Sequence, residues 1–147
     1  MEILRRNTDY ALRMVATLAK HFDDGEIMSA KRLAGDCNFS YELGRKLLQK
    51  LHKAELVKGH MGLKGGFVLS RKPSEISLIE VINALQGGLH LNQCLAAGEG
   101  CEFKSKCEIS KRLASLQQYM KEYLGGITIE EVTMKSGRKN KKQKIFR

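Results

Sequence analysis

The stretch from Ser29 to Ser70 limits the fold more than any other part of the chain. It holds two short amphipathic segments separated by a tight turn, then a glycine-rich pair of β-like runs. Ser29 is placed to cap a short helix, AKRLAGDC, whose Leu33 and Ala34 face inward, and DCNF makes a turn. Ser40 then caps a longer helix, YELGRKLLQKLHKA, in which Leu43, Leu47, Leu48, Leu51 and Ala54 form a buried stripe. That stripe leaves Tyr41, Arg45, Lys46, Gln49 and Lys53 largely outside. Two such helices, the second rich in exposed basic and amide groups, describe a helix-turn-helix, although many helical hairpins share the pattern. The next segment, LVKGHMGLKGGFVLS, reads as two runs, Leu56–Lys58 and Phe67–Ser70, around a glycine-rich tip. A basic hairpin directly after a basic helix predicts a winged helix-turn-helix.

The flanking segments complete a mainly α chain with one small β-hairpin wing. NTDYALRMVATLAKHF predicts a first helix capped by Asn7 or Thr8, with Leu12, Val15, Ala16, Ala19 and Phe22 on its inner face. After the linker RKPSE, Ser77 caps LIEVINALQGG, with Leu78, Val81, Ile82 and Leu85 inward and Gly87 ending the helix. A long helix from about Ser105 to Tyr123 carries Ile109, Leu113, Leu116, Met120 and Leu124 in one stripe, which a second copy of the same helix would bury. GGITIEEVTM predicts a short closing helix capped at Thr128. The expected organisation is a winged helix-turn-helix domain over 1–86, a cysteine loop over 87–104, a dimerisation helix and closing segment over 105–134, and a disordered basic tail over 135–147.

Charge indicates the partner. The formal net charge is +10, and it is concentrated: residues 40–75 hold eight Lys/Arg against three acids, and residues 135–147 hold seven against none. Two basic zones suit a polyanion, double-stranded DNA above all. Arg45, Lys46, Lys50 and Lys64 are the expected phosphate contacts, and Ser40 sits at the start of the same helix. Tyr41, Arg45 and Gln49 are the candidates for reading base edges. The wing tip, with His60, Lys64 and Gly65, is the candidate for the minor groove, its glycines letting the backbone approach a groove wall. No apolar run is long enough to span a membrane, and the amphipathic start lacks the features of a signal peptide, so a reducing cytoplasm is expected. The absence of a C-x-x-C pair, a nucleotide-binding glycine motif or a Ser/His/Asp arrangement argues against an enzyme.

Three of the four cysteines fall in CLAAGEGCEFKSKC, spaced C-x6-C-x5-C at Cys94, Cys101 and Cys107. Structural zinc usually takes tighter pairs and four local ligands. A disulfide would use two thiols and strand the third. An iron–sulfur cluster fits best, because thiolates favour it and a loose loop can wrap a polynuclear centre. Lys104, Lys106 and Lys111 lie close by to offset its charge. The local candidates for a fourth ligand, His90, Glu99, Glu102 and Ser110, are common surface side chains. Cys37, beside Phe39 in the helix-turn-helix turn, reads as a small core residue.

NTDYALR, LVKGHMGLKGGFVL, ISLIEVINALQG and the three-cysteine loop, in that order, resemble the Rrf-two family of bacterial transcription regulators over residues 1 to about 134. The resemblance implies a homodimeric winged helix-turn-helix repressor on a palindromic operator, with a crossed dimerisation helix. It also implies an iron–sulfur cluster, sensing nitric oxide, iron or redox status, on Cys94, Cys101 and Cys107. In NsrR-like members the fourth ligand is the aspartate of a first-helix TD contributed by the other subunit, which matches Asp9. IscR-like members carry histidine where this chain has Ser110. Members holding [2Fe–2S] through a first-helix Glu/His pair would need His at Leu12. The match therefore favours [4Fe–4S], with [2Fe–2S] as the lesser form. The alternative is a cluster-free or zinc-stabilised winged-helix regulator responding to a small metabolite.

Overall fold

The computed structural model describes residues 3–96, 101–103 and 106–134. It is mostly helical with one two-stranded antiparallel hairpin: α1 (Arg6–Lys20), α2 (Ala30–Asp36), α3 (Tyr41–Lys53), β1 (Val57–His60), β2 (Gly66–Leu69), α4 (Leu78–Gln86), α5 (Glu108–Gly125) and α6 (Ile129–Thr133). Short 3₁₀ turns occupy Pro73–Glu75 and Gln93–Leu95. The basic tail, 135–147, lies outside the described residues.

The helix-turn-helix forms as its caps dictate. Ser29 Oγ accepts from the Arg32 amide at 3.2 Å and Ser40 Oγ from the Leu43 amide at 3.3 Å. Between the helices Asn38 takes φ 59°, a left-handed conformation that asparagine tolerates better than most residues. Leu33, Ala34, Leu47, Leu48 and Leu51 are buried, and Gly44 lets α2 and α3 close together. A Cβ at Gly44 would stand 3.2 Å from Ala34 Cβ and 3.3 Å from the Phe39 ring. Cys37 is buried as expected, its sulfur 3.6 Å from Thr17 Oγ1. Ala54, placed in the buried stripe by periodicity, is exposed, because α3 ends there and Glu55 turns into the left-handed region at φ 58°.

The wing is fastened by main chain. β1 and β2 pair from Val57↔Leu69 to His60↔Gly66. Met28, just before α2, adds a third partial rung: its amide donates to Phe67 O at 3.1 Å and its carbonyl accepts from Phe67 N at 2.8 Å. Gly66 is required by this closeness, since a Cβ there would lie 2.4 Å from Met28 O.

The first helix departs from its expected rotation. Ala11, Met14, Val15 and Leu18 are fully buried, while Leu12, Ala19 and Phe22 sit on the flank of the same core. The expected Asn7 or Thr8 cap is absent; α1 begins at Arg6 with Arg5 before it. Thr8 is itself buried, and its hydroxyl donates to Gln86 Oε1 at 2.8 Å. Gln86 Oε1 also accepts from the Arg5 amide at 3.1 Å, so a side chain from the last residue of α4 caps α1. The other end of that carboxamide donates to Ile3 O and to Gly88 O, each at 3.0 Å. The short closing helix returns the chain to the core: Ile129 is fully buried, and its amide donates to Ile76 O at 2.8 Å.

Glu80 secures the start of α4. Its carboxylate accepts from the Ser77 amide at 2.8 Å and the Ser77 hydroxyl at 2.9 Å, and pairs with Arg71 at 2.9 Å. Burial by itself would raise the Glu80 pKa; the Ser77 amide, the Arg71 guanidinium and the Ser77 hydroxyl together outweigh it and hold the carboxyl below its ordinary range. A lowered pKa contributes stability that is present in full above the ordinary carboxylate range and is lost as pH falls through and below it. Glu80→Ala should therefore cost about 1 kcal/mol at neutral pH in urea unfolding, a cap-sized loss, and the gap from wild type should narrow on acidification. A gap independent of pH would mean the charge is irrelevant there. Gln86→Ala strands the buried Thr8 hydroxyl and the Arg5 amide, and should cost about 2 kcal/mol. Adding Thr8→Val to Gln86→Ala should then cost less than Thr8→Val alone, because the two residues share a bond.

Candidate nucleic-acid interface and cysteine loop

On α3 the residues outside the buried stripe make one outward line. Tyr41, Arg45 and Gln49 follow at intervals of four and all are exposed, with Lys46 beside them. The Arg45 guanidinium lies over the Tyr41 ring at 5.9 Å, which holds the pair as a unit at the N-terminal end of α3. Ser40 stands at the head of this line with its hydroxyl oxygen engaged as the helix cap. Lys50 is placed differently. Its ammonium donates to Leu85 O at 3.3 Å, one of the carbonyls left without a partner at the end of α4. Lys50 thus ties α3 to α4, and its charge is shared with a helix C-terminus.

On the wing, His60 ends β1, and the tip that follows is a turn closed by the Gly65 amide donating to Gly62 O at 2.9 Å. His60 and Lys64 are exposed. Gly65 is needed by the hairpin itself: a Cβ would lie 2.3 Å from His60 O and 2.8 Å from Gly62 O. Gly62 has φ 111° with open space around it, so backbone conformation alone selects glycine there.

Cys94 lies in the 3₁₀ turn Gln93–Leu95, and Cys107 is the N-cap of α5, its Sγ accepting from the Ser110 amide at 3.4 Å. That cap explains why α5 starts at Glu108 and not near Ser105. Cys94, Cys101 and Cys107 are all half-buried, and none forms a disulfide. Among the described residues no three His, Cys, Asp or Glu side chains converge in a way that could hold a metal ion. Residues 97–100, the middle of the loop with Glu99, and Lys104 lie outside the described residues. Of the local oxygen and nitrogen donors, His90 Nδ1 contacts Leu95 O at 3.1 Å, Ser110 is buried behind Cys107, and Glu102 is exposed. Lys106 is exposed and Lys111 pairs with Glu108 at 2.6 Å. Asp9 sits on the exposed side of α1, paired with Arg13 at 2.9 Å.

Two residues that sequence reasoning did not single out join these regions. Gln86 links the first turn of α1, one residue before Asp9, to Gly88 at the root of the cysteine segment. Gln117, buried on α5, accepts from the Leu91 amide at 3.0 Å and fixes the same segment to the long helix. Neither has a local signal; only the burial of a polar side chain at a helix crossing identifies it. Among the described residues no helix is long and apolar enough to cross a membrane.

The family model of the Rrf2 iron-dependent transcriptional regulators matches residues 4–135. The HTH-type transcriptional regulator NsrR of Oceanobacillus iheyensis is 32% identical over 127 residues, covering 82% of this chain and 84% of that protein. Among solved structures, CymR, the global cysteine regulator of B. subtilis, superposes with a TM-score of 0.72 at 27% identity, over 90% of this chain and 97% of that one. IscR of T. potens superposes with a TM-score of 0.65 at 26% identity, over 88% and 84%. These relatives are regulators and not enzymes, and the two solved ones share the hairpin-bearing helical fold described above. The chain belongs to the Rrf2 family of winged helix-turn-helix transcriptional regulators.

Proposed function

We propose that the chain is a homodimeric repressor on a palindromic DNA operator whose affinity is switched by an iron–sulfur cluster reporting nitric oxide, iron or redox status. The observation that carries this reading is the set of three half-buried thiols, none in a disulfide, on the segment joining α4 to α5. Such a donor set fits an iron–sulfur cluster, [4Fe–4S] ahead of [2Fe–2S]. Cys94, Cys101 and Cys107 would hold it, with the carboxylate of Asp9 contributed across the dimer. When bound, the cluster supplies iron–sulfur bonds that nitric oxide, oxygen or iron depletion breaks.

The chain's own residues suit the rest of the task. Cys107 places its sulfur at the N-terminus of α5, where the helix dipole stabilises an anionic ligand atom. Asp9 is exposed and loosely held by a surface ion pair, so it is available to a second copy. α5 leaves Ile109, Leu116, Tyr119 and Tyr123 exposed, an apolar stripe that pairing with the same helix of another subunit would cover. Tyr41, Arg45 and Gln49 enter a major groove, and Lys46 and Lys64 neutralise phosphates.

A second reading has its own observation. A cavity of about 240 Å³ lies between the end of α1 and the base of the wing, lined by Leu18, His21, Phe22, Ile27, His60 and Leu69 among others. A cluster-free or zinc-stabilised regulator could seat a small metabolite there.

Anaerobically purified protein should be coloured, with iron and sulfide in it, and Cys107→Ala should be colourless. Treatment with nitric oxide or chelator should change the affinity of wild type for its operator, and Asp9→Ala should abolish that response. Colourless, iron-free wild type with undiminished DNA affinity would leave the second reading. Arg45→Ala should weaken operator binding at least roughly tenfold, about 1.4 kcal/mol. An unchanged isotherm would remove Arg45 from the interface.

A further inference from the structure

The tip of the wing carries two large apolar side chains with nothing to pack against. Met61 is 100% exposed and Leu63 is 109% exposed, compared with an exposed extended chain. They flank Gly62 in a turn whose four residues, Gly62 to Gly65, are closed by a 2.9 Å backbone bond. Scattered exposed apolar residues are ordinary. Two fully protruding ones at the apex of a rigid hairpin, with no contribution to the fold, are a different case.

We propose that Met61 and Leu63 are a wedge that enters the DNA minor groove and unstacks a base step in each half-site, so that the protein bends its operator. This rests on the DNA-binding reading and adds to it a deforming contact and a source of sequence preference.

The shape and charge of the tip favour this occupant. Gly59, Gly62, Gly65 and Gly66 leave the hairpin slim, as entry into a groove about 6 Å wide demands. The segment from Val57 to Leu69 has Lys58, His60 and Lys64 and no acidic residue, which suits a channel between phosphates. The base of the wing is held by Met28 and Phe67 main-chain bonds and by the packing of Gly66 on Met28, so the apex is presented without loss of order. Only Ala54, Glu55 and Leu56 separate α3 from β1, so a recognition helix in the major groove carries the hairpin to the adjoining groove. Size decides against a protein partner: a stable interface buries roughly 800 Å² on each side, whereas a base stack needs only one or two inserted side chains.

A wedge gives preference without base hydrogen bonds. Pyrimidine–purine steps such as TA or CA/TG unstack most readily, so such a step is expected under each wing.

The test uses the full-length chain, purified anaerobically, and 30-bp duplexes that it selects from a random pool. 2-Aminopurine is placed in turn at each flanking step, end labels report bending by energy transfer, and thermal melts check that each variant is folded. Wild type should raise the 2-aminopurine emission at one step per half-site and should shorten the end-to-end distance. Met61→Ser/Leu63→Ser should lose both signals, bind roughly tenfold more weakly, keep the slope of log affinity against log salt, and no longer prefer TA over GC at that step. Met61→Leu/Leu63→Met should behave as wild type. Lys64→Gln should keep the emission but lower the salt slope by about one. Retention of emission, bend and affinity by the serine double variant, while Arg45→Ala still weakens binding, overturns the wedge and leaves the DNA-binding reading standing. Failure of wild type to enrich any duplex overturns both. A change in sedimentation of the serine double variant without DNA assigns the tip to self-association and overturns the wedge.

Discussion

The carboxamide of Gln86 is the constraint on which the arrangement of the domain depends. It accepts from the Arg5 amide and the Thr8 hydroxyl and donates to Ile3 O and Gly88 O, which uses its full donor capacity and both lone pairs of its oxygen. Two stretches distant in sequence meet there: the entry to α1, and the end of α4 where it runs into the cysteine segment. At the preceding residue, Lys50 reaches Leu85 O and adds α3 to the same junction. Networks of this kind favour one arrangement, because a partly satisfied member costs more than an apolar replacement would. The root of the cysteine segment thus shares a hydrogen-bond partner with the entry to α1, and α3 meets the adjoining carbonyl of α4.

The two halves of the molecule bury their surfaces differently. The winged helix-turn-helix has a continuous core running from Met14 and Leu18 through Leu33, Leu48 and Leu51 to Val81 and Ile129. On α5 only Ser110 and Gln117 are buried, and Ile109 is 72% exposed. Of the stripe expected on this 18-residue helix, Leu113, Met120 and Leu124 are half-buried, while Ile109 and Leu116 stand in water beside Tyr119 and Tyr123. The burial that would normally hold such a helix in place is still to be made, which is the energetic basis for reading it as an association surface.

What could be read from the sequence was local. Ser29, Ser40 and Thr128 cap helices where they were expected to, and Gly87 ends α4 at φ 76°, since a cap depends on residues within one turn. The order of elements, the hairpin and the leucine stripe of α3 follow from periodicity alone. The rotation of α1 was not legible, because helices on several sides cover it and Thr8 is drawn inward by a residue 78 positions away. The role of Lys50 was missed for the same reason: a lysine next to a basic face reads as a phosphate contact until the carbonyl it meets is known. The three thiols and their spacing could be read directly, but the sulfur cap at Cys107 could not, as cysteine is a rare N-cap. Whether and how the thiols act together is not a local property, so no single sequence pattern encodes it.

The attachment of the wing has an evolutionary consequence. Its base is held by amide-to-carbonyl pairing with Met28 and by glycines that admit the neighbouring backbone, both indifferent to the side chains at the apex. Residues 61, 63 and 64 can therefore mutate almost freely without unfolding the domain. Duplicated copies of such a gene could diverge in the operators they recognise by drift at a few codons, with the cysteine segment and α5 left untouched.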